Sequence, residues 1–241
     1  MRRRDHFLHG MRDGLPIGIG YFAVAIALGI KAVAAGISPL EAALMSLLNL
    51  TSAGEAAGVV LLGLGTTYVE LAFTQLVINL RYLLMSCSLS QKILPSTSLL
   101  HRLLISYGVT DEIFGASIAT DGTLSPYYSY GAIAMAAPGW TLGTLLGALL
   151  GSVLPARVVT ALGVALYAMF LAVVLPPARK SRVIAGVVAV SMAASLGLDL
   201  LCRHISAFSL SEGMRIILLT VLIAGGAALL FPIKEESEGT A

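Results

Sequence analysis

The chain has 241 residues, 57% of them hydrophobic and 12% charged, with a mean hydropathy of +0.91. A typical soluble domain carries about 25% charged residues, so too little polar surface remains here to coat a water-soluble globule. The net charge of +2 comes from basic residues scattered or set beside apolar runs, which leaves no basic face interleaved with aromatics and excludes a nucleic-acid partner.

Residues Met1 to Gly14 carry Arg2, Arg3, Arg4 and Arg12 and lead into an apolar stretch from Leu15 to about Gly36. Ala32-Val33-Ala34 mimics a cleavage site, but the stretch is far longer than the roughly 7 to 15 apolar residues of a secretory signal. The sequence therefore predicts an uncleaved first transmembrane helix preceded by a cytoplasmic segment, 1–14. A crossing needs about 20 apolar residues, and further runs of that length lie at approximately 40–63, 67–86, 129–154, 157–176, 182–201 and 213–231. Segment 100–120 is long enough to cross but carries Asp111 and Glu112, so it reads as a span, a broken helix or a re-entrant hairpin.

The expected fold is all-α: a polytopic transmembrane helix bundle, one integral membrane domain over 1–241, with seven or eight crossings and at least one discontinuous helix. Basic residues in short loops stay on the cytoplasmic side. The Arg2–Arg4 cluster and the Arg179, Lys180, Arg182 loop share that side only if the number of crossings between them is even. Eight crossings satisfy this and put both termini in the cytoplasm of a bacterial-type inner membrane, with 233–241 as a short tail.

Charge is unevenly spread. Segments 129–154, 157–176 and 213–231 are free of Asp, Glu and Lys and, apart from Arg157 and Arg215 at span boundaries, of Arg, and read as scaffold. In the first of them Gly139, Gly143, Gly147 and Gly151 recur every fourth residue, placing glycine on one face where a second helix can approach closely; that helix could belong to this chain or to another. Pro138 heads the ladder and predicts a bend or a start there. The first half instead sets Lys31, Glu55, Glu70, Arg81, Asp111 and Glu112 in or near apolar sequence, each costing about 2.5–3.5 kcal/mol at a bilayer centre. Lys31, Glu70 and Asp199 sit near predicted ends, where snorkelling answers the cost.

The stretch Asn49-Leu50-Thr51-Ser52-Ala53-Gly54-Glu55-Ala56-Ala57-Gly58 is a polar, small-residue break between apolar runs. Transporters place substrate near mid-membrane, where discontinuous helices expose backbone groups to its charged ends. Thr51, Ser52, Gly54, Asn79 and Thr110 are the candidate substrate-binding residues. Glu55 is a candidate proton or cation site, or one half of a structural ion pair. Arg81 could pair with Glu55, Asp111 or Glu112. Adjacent acids on a helix point about 100° apart, so at most one of Asp111 and Glu112 need face a cavity while the other pairs or caps, and Thr110 or Asp111 could equally cap a helix. No GxxxxGK[ST] phosphate loop occurs, no two histidines stand four residues apart as a helical metal pair, and Cys87 and Cys202 fit neither a metal pair nor a disulfide framework. No catalytic residue, metal or cofactor is expected, and the chain is not read as an enzyme.

Taken in order, Gly14-Leu15-Pro16-Ile17-Gly18-Ile19-Gly20-Tyr21-Phe22, the Glu41 to Ser46 run, the break at 51–58, Asn79-Leu80-Arg81-Tyr82 with Ser86-Cys87-Ser88-Leu89, and Thr110-Asp111-Glu112 resemble AzlC-type proteins, the large subunits of branched-chain amino acid exporters. The resemblance covers essentially the whole chain. It implies a secondary export permease for hydrophobic amino acids such as leucine, isoleucine and valine, working in the lipid bilayer with a small AzlD-type membrane subunit. The family pattern usually has Gln and Phe in the break where this chain has Glu55 and Ala56, and His after the Arg where it has Tyr82. A carboxylate for an amide and a small residue for an aromatic alter both charge and pocket size.

Overall fold

The computed structural model describes residues 2–151, 153–204 and 211–231; the tail expected at 233–241 lies outside them. Ten helices make up these residues: α1 Arg3–Ala34, α2 Pro39–Leu48, α3 Ser52–Gly63, α4 Tyr68–Lys92, α5 Leu99–Tyr107, α6 Asp111–Ala119, α7 Pro126–Leu150, α8 Ala156–Lys180, α9 Arg182–His204 and α10 Glu212–Leu230. Helix α1 runs unbroken through Ala32-Val33-Ala34 and also through Pro16. Pro138 likewise lies inside α7 rather than starting it. Among the described residues α1, α4, α7, α9 and α10 are long and apolar enough to cross a membrane, and α8, at 25 residues, has the length.

Helices α1 and α7 lie side by side and parallel, and glycine makes this possible. Gly10 faces Tyr128 and Ala132, Gly14 faces Ala132, and Gly18 faces Met135. From α7, Gly139, Gly143 and Gly147 face the backbone of Gly18, Phe22 and Ile26. A Cβ on Gly10, Gly29 or Gly147 would stand 1.9, 2.0 and 2.0 Å from a backbone oxygen of the other helix, well inside any real contact. The glycine ladder is thus occupied by a helix of this same chain.

Segment 40–63, expected as one crossing, is a helical hairpin. Ser38 caps α2, its hydroxyl accepting from the Glu41 backbone while the Glu41 carboxylate returns to Ser38 N at 2.9 Å, and Pro39 opens the first turn, a capping box. The helix stops at Leu48 and α3 begins at Ser52. By its end α3 is back where α2 began, because a Cβ on Gly63 would lie 2.9 Å from that of Ala35, just past the end of α1. Both α1 and α3 finish on a left-handed glycine, Gly36 (φ 87°) and Gly65 (φ 67°), with Ile37 N and Thr66 N reaching back to Ala32 O and Leu61 O at 3.0 and 3.1 Å, the Schellman pattern.

Segment 100–120 is a second hairpin and enters from the other face. Arg102 of α5 reaches Ser90 Oγ and Leu94 O at the end of α4, at 3.0 and 3.2 Å. Lys92 Nζ in turn donates to the carbonyls of Ser117, Ile118 and Thr120, where α6 ends. Leu124 N bonds Lys92 O at 2.8 Å, and α7 starts two residues later. The face where α1 begins, called proximal here, therefore holds both ends of α5–α6, while the distal face holds both ends of α2–α3. The two tips meet inside, where the Tyr107 hydroxyl donates to Leu47 O at 2.6 Å.

The remaining helices stand beside this frame. Helix α10 starts next to the start of α4: Glu70 accepts from Ser211 Oγ and, at 3.2 Å, from Met214 N. Glu70 thus caps α10 instead of snorkelling. Asp199 of α9 accepts from Arg215 of α10 at 2.9 Å, so the two helices are antiparallel. The loop with Arg179, Lys180 and Arg182 then shares the proximal face with the start of α1, an even parity reached with fewer crossings because both hairpins turn back.

The α1–α7 contact yields a test. Gly147→Ala should lower the unfolding free energy in detergent by about 1–3 kcal/mol, the cost of overpacking. Gly20→Ala, with nothing within 4 Å of the added methyl, should be neutral or slightly stabilising, since alanine suits a helix interior better than glycine by roughly 0.5–1 kcal/mol. Equal behaviour of the two variants in thermal or denaturant melts would contradict the packing described.

Candidate functional site

The hairpin tips bring three polar groups to the middle of the bundle. The first centres on Glu55, in the first turn of α3 and 1% exposed. Ser46 of α2 donates its hydroxyl to Glu55 Oε1, and the indole Nε1–H of Trp140 on α7 donates to Oε2 at 2.6 Å. Thr144 Oγ1 lies 2.7 Å from Ser46 Oγ, one turn beyond Trp140. These donors are neutral, so Glu55 is not the partner of Arg81. A charge-assisted hydrogen bond contributes about 1.5–3 kcal/mol, and two of them offset most of the cost of a central carboxylate. The site can hold this group without a fixed counter-ion.

The second group lies between α3 and α4. Gln75 Nε2 donates to Gly54 O at 2.7 Å, and Asn79 Nδ2 donates to Gln75 Oε1 at 3.2 Å, one turn away. A Cβ on Gly54 would meet Gln75 Oε1 and Thr51 Oγ1 at 2.7 Å and Asn79 Nδ2 at 3.0 Å, so only glycine admits these amides to the α3 backbone. The Thr51 hydroxyl donates to Asn49 Oδ1 at 2.8 Å and does not cap α3. Ser52 opens the helix with no side-chain cap before it, so the α3 N-terminus, with its positive dipole end, is turned toward mid-membrane.

The third group surrounds the start of α6. Thr110 is the N-cap, its Oγ1 accepting from Ile113 N at 3.3 Å. Asp111 and Glu112 diverge as helical spacing requires. Asp111 Oδ2 pairs with Arg81 Nη1 of α4 at 2.8 Å, and Glu112 Oε2 accepts from the Tyr21 hydroxyl of α1. That hydroxyl is also 2.8 Å from Thr110 Oγ1, and Tyr21 stacks edge-on against Trp140 with ring centroids 5.3 Å apart, joining the third group to the first. Arg81 lies over the Tyr82 ring at 5.0 Å and donates to its hydroxyl at 3.1 Å.

The candidates Thr51, Ser52, Gly54, Glu55, Asn79, Arg81, Thr110, Asp111 and Glu112 thus all border the two tips, though in three networks, of which the first and third touch through Tyr21 and Trp140. Sequence reasoning did not single out Gln75, Tyr107, Trp140 or Thr144. Gln75 could have been found as the i−4 neighbour of Asn79, and Trp140 as a lone indole deep in an apolar run. Among the described residues no cluster of three His, Cys, Asp or Glu side chains is arranged to hold a metal ion.

The fold and the site define an integral membrane protein with two re-entrant helical hairpins opposed across the bilayer. Residues 16–154, containing both hairpins, match the AzlC protein family, and the chain belongs to that family, whose members are membrane transport proteins. It is 29% identical to the inner membrane protein YgaZ of Escherichia coli over 184 residues, 73% of this chain and 75% of that one. It is also 29% identical to an uncharacterized membrane protein of Archaeoglobus fulgidus over 183 residues, 75% of this chain and 80% of the other. No solved structure matches the chain.

The Arg81–Asp111 pair can be tested by a double-mutant cycle. With side chains 34% and 16% exposed, Arg81→Gln alone should cost about 1–3 kcal/mol of stability in detergent, mostly from an uncompensated Asp111. Adding Asp111→Asn should recover most of that loss. Strictly additive losses would mean that the pair is not coupled.

Proposed function

We propose that the protein is a secondary transporter exporting hydrophobic, branched-chain amino acids across the inner membrane, with both termini cytoplasmic and a small AzlD-type membrane subunit as partner. The observation that carries this reading is the meeting of two hairpins from opposite faces among three polar groups inside the bundle. Such tips are where a membrane protein can expose backbone donors and acceptors to a substrate. The uncapped α3 N-terminus at Ser52 to Gly54 suits a carboxylate. Asn79, with its Oδ1 buried and without a hydrogen-bond partner, can accept from an ammonium group. The apolar walls between them take an aliphatic side chain.

In this mechanism a carboxylate couples protonation to alternating access. Glu55 is the first candidate, because it is buried against neutral donors. Asp111 is the second, because its pairing with Arg81 ties α6 to α4 and its protonation would free the proximal hairpin. Parting the Tyr107–Leu47 contact would let the two hairpins open in turn, each toward its own face.

The test is efflux of leucine, isoleucine and valine from loaded vesicles under a pH gradient, with and without the small subunit. Glu55→Gln or Asp111→Asn, properly folded, should reduce pH-driven efflux to the level of protein-free vesicles. Unchanged efflux in both variants would refute the coupling role, and no efflux of any amino acid from the native protein with its partner would refute the transport reading.

A further inference from the structure

Outside the hairpin region, a groove of about 620 Å³ lies between α9 and α10, lined by Arg182, Gly186, Val190, Leu222, Gly226 and Leu230 among others. On α9 the i, i+4, i+8 series Arg182, Gly186, Val190 sets the guanidinium at one end of an apolar trough about 12 Å long. The glycines do not serve helix packing here, since a Cβ on Gly186 or Gly226 would meet nothing within 4 Å. Leu222 and Leu230 are 62% and 75% exposed, so the groove opens outward, to the lipid.

We infer that this groove is a binding site for one anionic phospholipid, an acyl chain lying over Gly186 and Gly226 and the headgroup phosphate at Arg182. The argument is one of charge and depth. Arg182 is exposed at the first turn of α9, beside exposed Arg179 and Lys180, and among the described residues none of the three enters a salt bridge. Arg182, without a salt bridge among the described residues and set at the end of an apolar slot between transmembrane helices, presents complementary chemistry to a lipid that is anionic at one end and hydrocarbon for the rest. The guanidinium binds phosphate in a two-pronged fashion that a choline headgroup would partly offset. The site lies on the proximal face, which the Arg2–Arg4 cluster shares, and is separate from the proposed transport centre.

The experiment uses the full chain in vesicles containing spin-labelled phosphatidylglycerol or phosphatidylcholine, and reads the motionally restricted fraction of each lipid. The native protein should prefer phosphatidylglycerol by about fivefold, the factor expected for one basic residue acting near a membrane surface. Replacing Arg179, Lys180 and Arg182 together by Gln should remove that preference while keeping the restricted fraction of phosphatidylcholine. Gly186→Leu with Gly226→Leu, which fills the groove and leaves the basic residues in place, should remove the restricted phosphatidylglycerol.

Equal retention of the two lipids by the native protein would overturn the assignment, as would a preference that survives filling of the groove. A preference appearing only after deletion of residues 233–241 would assign the basic cluster to the acidic tail instead. Cysteine at Val187 that cross-links to a membrane polypeptide and excludes lipid would assign the groove to a protein partner.

Discussion

Glycine carries the contact between α1 and α7, and that contact sets the frame in which both hairpins sit. In a bilayer no hydrophobic force drives one apolar helix against another, so association depends on how closely two backbones can approach. Gly10, Gly14, Gly18 and Gly29 on one helix and Gly139, Gly143 and Gly147 on the other bring them to touching distance. The register has a second effect. Trp140 and Thr144 each follow a ladder glycine by one residue, about 100° around the helix, so the same repeat that seats α7 on α1 turns these two side chains toward α2 and α3. The glycine face and the face that holds Glu55 are built by one periodicity.

Breaking helices inside a membrane exposes backbone groups that water cannot reach, and each such group must find a partner. Here side chains supply several of them. Tyr107 covers Leu47 O at the end of α2, Gln75 covers Gly54 O in α3, Thr110 covers Ile113 N in α6, and Lys92 gathers three carbonyls where α6 ends. The Tyr107, Gln75 and Lys92 contacts each tie one hairpin either to the other hairpin or to α4, while Thr110 caps its own helix. Helix α4 accordingly carries unusual polarity for a crossing element, with Gln75 and Asn79 one turn apart and Arg81 two residues further on.

Much of this was legible in the sequence, and what was not has a physical reason. The helical class, α1 continuing through its signal-like start, and the polar break at Asn49 to Gly58 follow from length, hydropathy and small-residue composition. The reversal within 40–63 does not, because two half-helices reading as one apolar run have the same hydropathy whether the chain kinks or turns back. Only the return of Gly63 to Ala35 distinguishes them. The divergence of Asp111 and Glu112 followed from helical geometry, whereas the pairing of Arg81 with Asp111 rather than Glu55 depends on which helices are neighbours. Trp140 was hidden in a segment read as uncharged scaffold, since an indole counts as apolar until its N–H finds a carboxylate.

Trp140 is the single tryptophan of the chain, and its indole nitrogen is bonded to Glu55. Indole emission responds to charge and hydrogen bonding at the ring, so the protein contains its own optical reporter of the carboxylate at its centre. Excited to the red of tyrosine absorption, the unlabelled molecule gives a one-residue spectrum, uncontaminated by other tryptophans. Any event at the hairpin tips that moves a proton or displaces α3 is written into its colour.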